Sequence, residues 1–92
     1  MPHESKNKMG EIEIHHHALQ RSSERGASVE EIMETVKNGE EFPAKYDRTG
    51  FRKNFLFDSI WNGKHYSTKQ IECYCVIENN HWLVITILVK FY

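Results

Sequence analysis

Nowhere in its 92 residues does the chain hold a run approaching the roughly 20 apolar residues that a membrane-crossing helix needs. There is no internal repeat and no low-complexity tract. Cysteine is scarce, and two thiols do not make a disulfide scaffold. Cys73 and Cys75 fall on the same face of one strand, so they point in parallel and are poorly placed to bridge each other. The expectation is a pair of reduced core thiols. An excess of one charge is also missing: the net charge is −1 and the pI about 6.6, not the basic balance usual for a nucleic-acid binder. The first ten residues carry charge but no apolar stretch of the kind a secretory signal has. The expected compartment is the cytoplasm, with residues 1–10 a flexible tail and 11–92 a single domain.

What the chain does have is alternation. Ile71, Cys73, Cys75 and Ile77 share one parity, as do Leu83, Ile85, Ile87, Val89 and Phe91. A period of two marks strands, and Asn79-Asn80 between them suits the left-handed backbone of a hairpin turn. The second run is apolar on its other parity too, at Trp82, Val84 and Leu88. That pattern predicts a central strand covered on both faces, the spine of the sheet. Asn62-Gly63 signals another hairpin turn. It is preceded by a strand carrying Phe51, Phe55 and Phe57 on one parity, and Pro43 and Asp47-Arg48-Thr49-Gly50 mark bends before that. The even parity of the strand after the turn, Tyr66 to Tyr74, is polar.

Upstream, Glu11-Ile12-Glu13-Ile14 alternates and reads as a short edge strand. Residues 18–25 have helical composition, with Gly26 as the stop. Ser28-Val29-Glu30-Glu31 is a capping box, followed by Val29, Ile32, Met33 and Val36 at helical spacing, closed by Asn38-Gly39. The expected fold class is therefore α+β: a short N-terminal strand, two helices, then an antiparallel meander of about three to four strands.

Charge is unevenly spread. Residues 24–41 hold six acids against Arg25 and Lys37, while residues 42–71 hold six bases (Lys45, Arg48, Arg52, Lys53, Lys64, Lys69) against Asp47 and Asp58. His15-His16-His17 straddles a strand-to-helix transition. Three consecutive residues on a regular strand or helix cannot all aim at one ion, so no metal and no cofactor is expected. On the helix, His17, Arg21 and Arg25 are spaced i, i+4, i+8 and drift about 40° per step, so they share a face. An imidazole and two guanidiniums in a row make a cradle for a phosphate, or else a solvated basic stripe.

The stretch His17-Ala18-Leu19-x-Arg21-x-x-x-Arg25-Gly26-Ala27-Ser28-x-Glu30-Glu31-Ile32, with Asn38-Gly39-Glu40 and Val84-Ile85-Thr86-Ile87, resembles a family of small prokaryotic domains of unknown function. That family is similar to the RelE/ParE toxins and to metal-independent ribonuclease toxins. The resemblance implies a RelE-like fold, RNA as substrate, free or on the ribosome, and a cognate antitoxin as protein partner. His17, Arg21, Arg25 and Thr86 match its motif positions, and Lys69 joins them as a candidate catalytic group. Tyr66, Thr68, Lys64 and Arg52 are candidate substrate contacts. A non-catalytic protein-binding module of the same fold is the alternative, with Trp61, Tyr66, Trp82, Tyr92 and the acidic helix as its interface.

Overall fold

The structure, a computed structural model, describes residues 11–92; the expected tail at 1–10 lies outside the described residues. The order is β1 (Ile12–Ile14), α1 (His16–Arg25), α2 (Val29–Asn38), β2 (Glu40–Pro43), β3 (Thr49–Trp61), β4 (Lys64–Glu78) and β5 (His81–Phe91). The strands form one five-stranded mixed sheet in the order β1-β5-β4-β3-β2. β2 to β5 are an antiparallel meander, and β1 returns to pair parallel with β5. The fold is α+β, as expected, with both helices on one face: α1 against β5 and α2 against β3 and β4.

Local chemistry explains the helices. His15 caps α1, its Nδ1 accepting the His17 amide at 3.2 Å. Gly26 ends α1 at φ 88, a left-handed conformation that favours glycine. α2 opens with the full capping box: Ser28 Oγ accepts from the Glu31 amide at 3.1 Å, and Glu31 Oε1 from the Ser28 amide at 3.0 Å. Gly39 closes α2 with extended backbone, so its role is close approach rather than handedness. A Cβ there would stand 2.4 Å from the Thr35 carbonyl oxygen and 2.7 Å from that of Arg52. Both hairpin turns are left-handed at both corners, Asn62-Gly63 at φ 52 and 82 and Asn79-Asn80 at φ 53 and 63.

Ile32 and Val36 of α2 reach down onto Phe51, Ile71, Cys73, Cys75, Trp82, Val84 and Ile87, all essentially buried. Truncating Ile32 to alanine here costs about 2–5 kcal/mol. Cys73 and Cys75 are free and buried in this core, as expected of unbridged thiols.

Two expectations need correction. Pro43 was expected to mark a bend before the first long strand; instead it is the last residue of the edge strand β2, a place where a missing N–H breaks no ladder. And β5 is not apolar on both parities because both its faces are covered. Its register with β4 shifts between the pairs Cys75–Val84 and Tyr74–Thr86, so Ile85 is an extra residue, a β-bulge. The core face therefore passes from Trp82 and Val84 to Ile87 and Val89. Thr86 and Leu88 are sent to the opposite face, opposite Tyr74 and Glu72, where no helix packs.

Candidate functional site

β1 covers the outer edge of β5 only at Trp82–Val84. Past the bulge, α1 runs beside that edge, and Arg25 Nη1 donates to the Ile87 carbonyl at 2.8 Å. A cleft of about 310 Å³ opens there, walled by His17, Arg21 and Arg25 from the helix and by Ile85, Thr86 and Leu88 from the strand. The i, i+4, i+8 spacing has thus placed one imidazole and two guanidiniums on one side, with the β5 edge at Ile85, Thr86 and Leu88 on the other.

His17 and Arg21 are exposed, and Arg25 is half-buried. Among the described residues no acid lies within ion-pairing distance of Arg21 or Arg25. Arg25 spends one N–H on a carbonyl, which fixes its guanidinium while leaving its charge uncompensated. Two unpaired guanidiniums beside an imidazole can bind a phosphodiester and move a proton next to it.

The other expected site residues are elsewhere. Lys69 does not reach this cleft: it is 7% exposed on the helix-covered face, its Nζ donating to the Gly26 carbonyl at 2.7 Å and to Glu31 Oε1 at 2.9 Å. Its parity was legible, since Lys69 stands in step with Ile71, Cys73 and Cys75. Lys64, Tyr66 and Thr68 lie toward the other end of β4. Lys64 Nζ stands over the Tyr66 ring, Tyr66 packs on Phe91, and Thr68 exchanges backbone hydrogen bonds with Tyr92. None of the three lines the cleft. Arg52 is committed to Glu72, Nε to Oε2 at 2.9 Å, and its guanidinium lies 4.4 Å over the Phe42 ring. Of the aromatic residues offered as an interface, Trp82 is 1% exposed in the core, whereas Trp61 and Tyr66 come together on Phe91, away from the cleft.

A feature the sequence reading passed over is the polar cluster on the open sheet face. Glu72, 6% exposed, accepts from both Arg52 and Tyr74 Oη, the latter at 2.7 Å. Burial drives the Glu72 pKa up, but the hydrogen bonds from Tyr74 and Arg52 overcome it and hold the carboxyl below its usual range. Tyr74 is raised, by burial and by donating to that carboxylate. The signal was the even polar parity of β4.

The histidine triplet straddles the change from strand to helix, as expected: His15 is the cap between β1 and α1, and His16 and His17 open the helix. The three rings fold together, with one ligand atom from each within 4.8 Å of the others. Two nitrogens on one tetrahedral zinc stand about 3.3 Å apart. The cluster is therefore looser than a formed metal sphere.

The family model described as Domain of unknown function (DUF4258) matches residues 14–89, and the chain belongs to that family. No curated protein and no solved structure matches the chain.

Proposed function

We propose that this member of the family is an endoribonuclease that needs no metal. RNA carries its own nucleophile, so the protein has only to move protons and stabilise charge on phosphorus. In this reading His17 takes the proton of the 2′-hydroxyl, whose oxygen attacks the adjacent phosphorus. Arg21 and Arg25 bind the non-bridging oxygens and stabilise the added charge of the phosphorane. The P–O5′ bond then breaks and the 5′-oxygen takes up a proton, leaving a 2′,3′-cyclic phosphate and a 5′-hydroxyl. Solvent in the open cleft supplies that proton, since His16 packs against His17, the base, and does not line the cleft. Thr86, on the strand that walls the cleft, is the residue there assigned to the ribose or phosphate.

The observation that carries the reading is the absence of any described acid on two arginines that share a cleft with an exposed histidine. The resemblance to RelE/ParE-type toxins supplies the biological half of the proposal: a toxin acting on RNA and restrained by an antitoxin protein.

The test is incubation of pure wild type and His17→Ala with total RNA in EDTA, with end-group analysis of the products. Cleavage by wild type alone, leaving cyclic phosphate ends, is expected. A folded wild type inactive on both free RNA and translating ribosomes would leave the protein-binding module as the better reading.

A further inference from the structure

Thr86 faces two hollows. Besides the arginine cleft it lines a larger one of about 610 Å³ on the open face of the sheet, with Phe42, Lys45, Tyr46, Arg48 and Tyr74 among the other walls. The floor is fixed. Tyr74 is held by its hydrogen bond to Glu72, and Phe42 meets its ring edge-on at a centroid distance of 6.0 Å. Gly50 lets Phe42 lie against the backbone, since a Cβ there would come within 2.4 Å of the ring. The outer wall is different in kind. Tyr46 is 81% exposed, on a loop whose backbone is left-handed at Tyr46 and Asp47, and Arg48 stands 5.5 Å over its ring. Lys45 and Arg48 have no ion-pair partner among the described residues.

Aromatic rings on floor and wall with two uncompensated cations at the rim match a nucleotide: a flat π-faced base and a phosphate. We propose that this hollow is a nucleobase subsite. It takes an unstacked base of the single-stranded RNA adjoining the phosphate in the arginine cleft, while Lys45 and Arg48 bind a flanking phosphate. The strand passes from one hollow to the other over Thr86. The proposal rests on the ribonuclease reading for its substrate, but not for its contacts. It also gives the bulge at Ile85 a role, because the bulge brings Thr86 to the open face, opposite Tyr74, and so to the lining of the larger hollow.

The experiment has two arms. The first measures fluorescence anisotropy of a labelled single-stranded RNA decamer of mixed sequence. His17→Ala, which keeps the RNA intact, is compared with the same protein carrying Tyr46→Asn, then Lys45→Gln. Asparagine removes the ring while suiting the left-handed backbone. The second measures KM and kcat for RNA cleavage by wild type and by Tyr46→Asn. Loss of the ring is expected to raise both Kd and KM about tenfold with kcat little changed. Lys45→Gln is expected to reduce the slope of log Kd against log salt by about 0.7, the value for one phosphate contact on a single strand. Wild-type cleavage with Kd, KM and salt slope unmoved overturns the subsite and leaves the ribonuclease reading standing. No cleavage, but RNA binding weakened by Tyr46→Asn, overturns the ribonuclease reading and keeps the subsite. No binding and no cleavage by folded protein overturns both.

Discussion

Lys69 and Glu31 meet at 2.9 Å under the junction of the two helices, and the same Glu31 oxygen accepts the Ser28 amide that opens α2. One carboxylate thus completes the capping box and receives a lysine that is 7% exposed, while that lysine also holds the Gly26 carbonyl at the end of α1. Sheet, turn and helix start are locked at one point.

Removing either partner strands the other in a poorly solvated place. Lys69→Ala is expected to lower unfolding stability by about 2–4 kcal/mol, less than for a fully buried pair because Glu31 is a quarter exposed. Glu31→Ala is expected to match it, and the double variant to lose less than the sum. Denaturant titration of all four proteins measures this. Strict additivity would show that the pair is not coupled.

The thiols give a second check on the core. Burial pushes Cys73 up to about 12, and burial together with its neighbour pushes Cys75 up further. The reactive species is the thiolate. Native protein at about pH 8 is therefore expected to resist an aromatic disulfide reagent, while protein unfolded in guanidinium chloride releases two equivalents. Rapid labelling of native protein would contradict the packing of β4.

His81 links the start of β5 to β1, its Nε2 standing 2.8 Å from Glu13 Oε1. That hydrogen bond raises the imidazole pKa above its ordinary value, against the opposing effect of desolvation. Because the folded value is the higher one, the stabilisation is complete below the unfolded value of about 6.5 and is lost as pH rises through the folded value. The melting-temperature gap between wild type and His81→Asn should accordingly narrow from about pH 6 to about pH 8.5. A gap that widens with pH would show that the pair does not act this way.

What the sequence made legible was local. The capping box, both hairpin turns and the Gly26 stop each depend on residues within one turn of each other, and each is where it was expected. The common face of His17, Arg21 and Arg25 was legible for the same reason, since three residues on one helix fix their own relative placement. What needed the structure was non-local. The parallel partner of β1 lies about 70 residues away, and the bulge at Ile85 is set by pairing with β4. An extra residue reverses every side chain after it, so an alternation count across residues 82–91 reads as two apolar faces. β2 was hidden because four residues ending in proline carry too short a pattern.

Arg21 and Arg25 separate stability from chemistry. Both line the cleft, but only Arg25 also holds the β5 backbone, through Ile87. A charged donor lost from a carbonyl costs about 1.5–3 kcal/mol, whereas an exposed side chain without a partner is within about 0.5 kcal/mol of neutral. Arg25→Met is therefore expected to lower both stability and RNA cleavage, and Arg21→Met to lower cleavage alone. Arg25→Lys is the sharper variant. It keeps a cation near the phosphate but loses the planar fork that can serve carbonyl and phosphate together. Cleavage should fall further than stability, and kcat further than substrate affinity if the fork acts chiefly in the transition state. Denaturant titration and steady-state cleavage on the same preparations decide it. If Arg21→Met cleaves RNA as wild type does, the shared helix face is not the phosphate cradle, and the catalytic assignment of the cleft goes with it.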